Sequence, residues 1–254
     1  MVEGHLLRDG ARLHWTASGE GPPVLFQHGL GGDDAQVATL FPAGAPFCRL
    51  TLECRGHGAS DAAGPYGFAS FSDDLDALVA GRVMVAGGVS MGAALALRLA
   101  HLRPGLVRGL ILIRPAWGAG PARGNLSFNT EAAAMIAAGA PLAGSALEAR
   151  LRDTPDNLAS IRGFFERPGF APILAAMSRD DPGLSDADIA AMTMPALVLS
   201  APRDLIHPVS LAEDLAALLP NATHATLPDK AADPAAHRAE AARAIAAFLE
   251  RIDA

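Results

Sequence analysis

Val83-Met84-Val85-Ala86-Gly87-Gly88-Val89-Ser90-Met91-Gly92-Ala93-Ala94-Leu95-Ala96-Leu97-Arg98-Leu99-Ala100-His101-Leu102 decides how the rest of this chain is read. A short apolar run enters a Gly-x-Ser-x-Gly pattern, and an Ala/Leu-rich helical run leaves it. A strand that ends, turns within two residues and restarts as a helix forces its central residue into a strained conformation. Glycines on both sides leave room for that turn, which lifts a serine hydroxyl out at the carboxyl edge of a sheet. The plainer reading makes Ser90 a helix cap with glycine filler. The strand–turn–helix context favours Ser90 as a nucleophile, which then needs a base and an oxyanion site elsewhere in the chain.

Outward from this stretch, short apolar runs alternate with helical ones. Val24-Leu25-Phe26 ends in Gln27-His28-Gly29-Leu30-Gly31-Gly32, and Arg49-Leu50-Thr51-Leu52 runs into Glu53-Cys54-Arg55-Gly56-His57-Gly58-Ala59-Ser60. Leu110-Ile111-Leu112-Ile113 is the most apolar run, and Pro195-Ala196-Leu197-Val198-Leu199 is followed by Arg203-Asp204. Two more strands are expected near His5–Arg8 and Ala11–Thr16, and one near His224–Leu227. Helices are expected near Phe71–Val79, capped by Ser70, and near Ser210–Leu219. A last helix begins at Asp233-Pro234, a cap with proline in the first turn. Strands apolar on both faces and alternating with helices predict an α/β fold, a mostly parallel doubly wound sheet flanked by helices.

From Pro115 to Met192 strand signals vanish and Ala-rich helical stretches follow. Ser145-Ala146-Leu147-Glu148 fits a capping box and Thr154-Pro155 a cap with proline behind it. The segment is too long for a simple connection. The expected organisation is a core of residues 1–114 and 193–254 with a helical cap or lid over 115–192.

Composition narrows the function. The chain has 254 residues and a net charge of −7, with 50% apolar residues and a single lysine, Lys230. That charge argues against nucleic acid, which wants clustered cations. The first residues, Met1-Val2-Glu3-Gly4-His5, do not read as a signal peptide, and no run is long enough to span a membrane. Cys48 and Cys54 lie on one expected strand, ~20 Å apart at ~3.3 Å per residue, too far to pair. A cytoplasmic setting is expected. The histidines are scattered without metal-binding spacing, so no metal and no organic cofactor are implied.

Taken in order, these signals resemble the α/β-hydrolase superfamily over nearly the whole chain, in its serine-nucleophile form with a helical cap. The likeness rests on His28-Gly29, on Glu53-x-Arg-Gly-x-Gly-x-Ser60 with Glu where Asp is usual, on the Ser90 elbow, and on Pro195–Leu199 with Asp204 behind it. It implies Ser90 as the nucleophile, the backbone N–H groups of Leu30 and Met91 as the oxyanion hole, and Asp204 as the acid that orients a histidine. His28, His57, Trp117 and Phe164 are the expected pocket residues, with Phe165 and Phe170 further cap-side candidates.

The pattern breaks at the base. The family's Gly-His pair should follow Leu227-Pro228, where this chain has Asp229-Lys230-Ala231-Ala232. His237 ranks first as its replacement: it lies eleven residues before Phe248, about three turns at ~3.6 residues each, so it faces inward. The competing reading of His237 is a buried structural histidine bonded to a backbone carbonyl. His207, three residues after Asp204, ranks second, and a chain with no base at all ranks third. His224 is ruled out as too far from the active edge.

The expected function is a serine hydrolase cleaving a small ester, thioester or lactone through an acyl-enzyme on Ser90. A catalytically impaired ligand-binding protein on the same fold and a hydrolase of carbon–carbon bonds are the alternatives. The expected partner is a small-molecule acyl substrate, with no nucleic acid and no membrane, and a homodimer is compatible with the sequence.

Overall fold

The computed structural model describes residues 1–121 and 124–253, so residues 122, 123 and 254 of the expected cap and core lie outside the described residues. In chain order the elements begin with β1 (Val2–Arg8), β2 (Ala11–Ser18), β3 (Pro23–Gln27), α1 (Asp34–Ala38) and β4 (Cys48–Leu52). Next come α2 (Phe68–Val79), β5 (Met84–Val89), α3 (Met91–Leu102) and β6 (Val107–Ile113). Helices α4 (Ser127–Ala137), α5 (Ala146–Arg150), α6 (Pro155–Phe165), α7 (Ala171–Arg179) and α8 (Asp186–Ala190) follow, with one 3-10 turn before α7. The chain closes with β7 (Ala196–Ser200), α9 (Val209–Leu218), β8 (Ala222–Thr226) and α10 (Pro234–Asp253).

The strands form one sheet of eight in the order β1-β2-β4-β3-β5-β6-β7-β8. Strands β1, β2 and β4 pair antiparallel, and every pair from β4–β3 through to β7–β8 is parallel. From β3 the chain crosses to β4 on one side, then passes back over β3 to β5 on the other. The carboxyl ends of β3 and β5 therefore meet where the winding reverses, the place such sheets use for ligands.

Alternation along the central strands splits the core in two. Met84, Ala86, Leu110, Leu112, Ala196 and Val198 face the layer made by α2, α3 and α9. Their neighbours Val85, Val89, Ile111, Ile113, Leu197 and Leu199 face α1 and α10. Period-two burial on both faces requires runs that are apolar throughout, as these are. Each large side chain so buried contributes roughly 1.5–3 kcal/mol. Helix α10 supplies Ala241, Ile245, Phe248 and Leu249 to the second layer, at helical spacing.

Three local details differ from the sequence reading. Helix α2 begins three residues before the expected Phe71, because the Phe68 N–H donates to the carboxylate of Asp180 (2.7 Å), a capping group from 112 residues away. At α5, Ser145 accepts from Glu148 N–H, but Glu148 turns its carboxylate to Gly144 N–H, so the expected box is half formed. Thr154 caps nothing with its side chain, although Pro155 does open α6.

Candidate active site

Ser90 is held at φ 55°, ψ −109°, a left-handed φ that a β-carbon resists. Two glycines permit it. Gln27, at the end of β3, presses its carbonyl oxygen onto the turn; a Cβ on Gly88 or on Gly92 would meet that oxygen at 2.3 Å. The Ser90 N–H donates to Ile113 of β6 (2.9 Å) and its carbonyl accepts from Ala93 (3.1 Å), so the strained residue is tied on both sides.

His207 is the histidine that meets Ser90. Its Nε2 lies 2.9 Å from Ser90 Oγ, while its Nδ1 is 3.0 Å from each carboxylate oxygen of Asp204. The imidazole with Nδ1 protonated donates to Asp204 and accepts the Ser90 hydroxyl proton. Asp204 Oδ1 also accepts the backbone N–H of His207 (2.9 Å), so the two residues are closed into one loop of four. Arg203, in the left-handed region at φ 54°, turns the chain into that loop.

Asp204 is buried and crowded with donors. Arg114, the residue just past β6, donates to Asp204 Oδ2 from Nε (2.8 Å) and Nη2 (2.5 Å), and Asn157 Nδ2 donates to Oδ1 (2.7 Å). Burial pushes the carboxyl upward. The charges of His207 and Arg114 and the bonds from His207 and Asn157 outweigh it and hold Asp204 far below the usual carboxylate range. Arg114 also pairs with Asp156, whose other oxygen takes the Lys230 ammonium (2.5 Å). Asp156 is pushed up by burial and pulled below its ordinary value by Arg114 and Lys230.

His237, first choice from the sequence, is not at the serine. It is buried at 2% exposure, and its Nδ1 lies 2.8 Å from the carbonyl oxygen of Pro228. The inward face anticipated for it is correct, but it serves the turn leading into α10. Burial lowers its pKa, and the nearby Arg114 and Lys230 charges add to that, so it stays neutral near pH 7.

The loop after β3 lies against the elbow. Gln36 of α1 accepts the Gly29 N–H with Oε1 (2.7 Å), and the Gly29 carbonyl accepts from Gly32 N–H (2.9 Å) and from His28 Nδ1 (2.9 Å). Gly31 sits at φ +78°. Among the described residues the N–H groups of Leu30 and Met91 donate to no protein acceptor.

Of the expected pocket residues only Phe164 lines the cavity at Ser90. That cavity, about 70 Å³, is bounded by Leu30, Ser90, Asn129, Phe164, Ile206 and His207 among others. His28 is fully buried because it staples two loops: Nδ1 donates to Gly29 and Nε2 accepts from Cys54 N–H (3.0 Å). Burial lowers its pKa. His57 is buried against His28, Phe71 and Phe170, bonds Arg55 through Nδ1, and is pushed well below its ordinary value by burial and by His28. Trp117 is buried under α2, its ring edge-on to Phe68 and its N–H on the Asp180 carbonyl. Phe170 stacks on Phe164, with ring centroids 5.6 Å apart. His28, His57 and Trp117 are large and buried, which sequence position alone does not separate from lining a cavity.

Sequence reasoning also passed over Arg114, Asn157 and Gln36. Arg114 carried a signal, a charge at the end of the most apolar strand. Asn157 and Gln36 carried none. No group of His, Cys, Asp and Glu among the described residues is arranged to hold a metal ion. No helix among them is long and apolar enough to cross a membrane.

Comparison with known proteins agrees with this architecture. The chain is similar in structure to an enol-lactonase from Burkholderia xenovorans LB400, with 25% identity, a TM-score of 0.66 and 98% of each chain covered. It is similar to a thermophilic esterase from Thermogutta terrifontis, with 22% identity, a TM-score of 0.74 and 99% of each chain covered. A hydrolase from Pseudomonas aeruginosa PA01 has 25% identity and a TM-score of 0.69, with 97% of this chain and 98% of that one covered. No protein of curated function matches the sequence. A family model described as the alpha/beta hydrolase family matches residues 24–249, from β3 to the last helix, and the chain belongs to that family.

Proposed function

We propose that this protein is a serine hydrolase that cleaves a small ester, thioester or lactone through an acyl-enzyme on Ser90, with His207 as base and Asp204 as acid. The observation that carries this reading is the contact of 2.9 Å between His207 Nε2 and Ser90 Oγ, with Asp204 on the far side of the same ring. The rival reading, a fold that keeps a pocket and lacks a base, drew its support from the missing Gly-His pair after β8. The bond of His207 to the serine favours the hydrolase reading over it.

In this mechanism Ser90 Oγ attacks the substrate carbonyl carbon as its proton passes to His207 Nε2. Asp204 holds the imidazole in the tautomer that accepts this proton and stabilises the imidazolium. Negative charge collects on the carbonyl oxygen, where the Leu30 and Met91 N–H groups would receive it. Such donors act on charge that appears only in the transition state; loss of one side-chain donor in other enzymes costs about 2.7–4 kcal/mol. His207 gives that proton to the leaving oxygen or sulfur, then takes one from the water that attacks the acyl carbon, and passes it to Ser90 Oγ as the acyl–oxygen bond breaks and the acid departs. Helices α4–α8 act as a cap, with Asn129 of α4 and both Ser160 and Phe164 of α6 bounding the cavity at Ser90.

The test is labelling by a fluorophosphonate probe together with turnover of short-chain aryl esters and small lactones. Ser90→Ala is expected to abolish both. Turnover that survives Ser90→Ala would refute the acyl-enzyme.

A further inference from the structure

Helix α6 belongs to the segment between β6 and β7, yet its first turn reaches back to the carboxyl edge of the sheet. Asn157 there is 1% exposed, and both ends of its amide are used. Nδ2 donates to Asp204 Oδ1 (2.7 Å), and Oδ1 accepts the Leu205 N–H (2.8 Å). The Leu205 bond fixes which way the amide points, because only the oxygen can accept an N–H. Its neighbour Asp156 joins Arg114 to Lys230, so two consecutive residues of α6 reach the polar groups around Asp204.

The placement matters because of how the acid and base are connected. Asp204 and His207 share one short loop, so their mutual geometry is largely set by local chain and by the His207 N–H on Asp204. What that loop does not fix is its own distance from Ser90, on a different strand. Two anchors fix it. Arg114 holds Oδ2 from the core side, and Asn157 holds Oδ1 and the next backbone N–H from α6. The charged and titratable groups around the amide are Asp204, His207, Arg114, Asp156 and Lys230.

We propose that Asn157 is a positioning residue for the reaction at Ser90, setting the Asp204–His207 loop at bonding distance from the serine through its paired bonds to Asp204 and Leu205. The assignment rests on the serine-hydrolase reading above. It makes α6 a working part of the active site as well as a wall of the cavity, since any shift of its first turn moves an anchor of the base.

Asn157→Leu and Asn157→Asp separate positioning from mere packing. Leu keeps the volume and loses both bonds. Asp keeps the Leu205 bond and sets a carboxylate against Asp204, except where it is protonated and donates as the amide did. The rate of fluorophosphonate labelling and kcat and KM for a short aryl ester are measured from pH 5.5 to 8.5 on proteins shown to be folded by near-UV circular dichroism. Asn157→Leu is expected to lose about 10- to 100-fold in labelling rate and in kcat, with KM changed little, the scale for a reacting group displaced by about an ångström. The Asn157→Asp rate, divided by the wild-type rate at each pH, is expected to climb as pH falls. A folded Asn157→Leu protein within twofold of wild type in labelling and kcat overturns the assignment. If Asn157→Leu does not fold, a flat Asn157→Asp ratio across the pH range overturns it alone. A wild type that resists the probe and leaves the ester intact overturns the serine reading and this assignment together; a wild type that labels while Asn157→Leu labels equally fast overturns only the assignment.

Discussion

His207 Nε2 lies 2.9 Å from Ser90 Oγ across 117 residues of sequence, while the carboxylate on the other side of its ring belongs to Asp204, three residues back. In the proposed mechanism the acid and the base leave the sheet together after β7. The loop after β8, where the family carries its histidine, holds Asp229 and Lys230 instead, paired respectively with Arg203 and Asp156. On that proposal the two loops divide the work differently from the family pattern: the first bears the proton-transfer pair, and the second places Lys230 against Asp156.

The elbow tolerates no side chain at its flanking glycines. Gly88→Ala and Gly92→Ala each place a β-carbon 2.3 Å from the Gln27 carbonyl, and neither β3 nor α3 is free to move. A loss of about 1–3 kcal/mol or more in unfolding free energy is expected for each, the usual range for overpacking. Gly163→Ala, inside α6 with open space around its Cα, is expected to gain about 0.5–1 kcal/mol. Thermal melts of the three variants check this, and equal stability in all three would contradict it.

Arg114 holds two carboxylates at once and is itself 6% exposed. Arg114→Met leaves Asp156 with Lys230 and Asp204 with Asn157 and His207. Removing one partner from a buried ion pair costs roughly 3–5 kcal/mol, so the melting temperature should fall sharply. A smaller loss is expected for Lys230→Met, whose side chain is 41% exposed. The order of the two melting temperatures is the measurement, and a variant pair in the reverse order would contradict this account of the network.

Acid should weaken the fold in two stages. Burial depresses the pKa values of His28, His57 and His237, so between about pH 6.5 and their folded values the unfolded chain binds more protons than the native one. Stability therefore rises with pH up to about 6.5 and is lost below it, by up to about 1.4 kcal/mol per pH unit for each such histidine. Asp156 and Asp204 are depressed as well; their contribution is full above about pH 4 and is lost as pH falls below it. Urea unfolding at pH 7.5, 6.0 and 5.0 reads the first stage. His237→Asn, whose amide still donates to Pro228, should give a shallower slope, and a slope of zero in wild type between pH 6.0 and 5.0 would refute the first stage.

Much of this was legible in the sequence, for a physical reason. The central strands are buried on both faces and must be apolar throughout, and the elbow needs glycine on both sides of Ser90; both demands act on neighbours in the chain. The base was harder. His237 has the helical spacing of a core residue and does face inward, but an inward imidazole can end on a carbonyl as readily as on a hydroxyl, and Pro228 is what it meets. His207 sits in a loop without periodicity, so nothing local distinguishes a turn residue from a base. Asn157 and Arg114 act on Asp204 from elements that are far apart in sequence, and such contacts leave no local pattern. Helix α2 teaches the same lesson in small, since its first N–H is met by Asp180 and not by the nearby Ser70.

In the proposed mechanism His207 activates Ser90. Fluorophosphonate labelling and aryl-ester turnover of His207→Ala and His237→Ala, measured beside wild type at pH 8, test it most directly. His207→Ala should lose at least about 1000-fold in kcat, the scale for removing a triad member, and should label correspondingly slowly. His237→Ala, if folded, should label at a rate within a few-fold of wild type. Full labelling and turnover in His207→Ala, with loss in His237→Ala, would contradict the account.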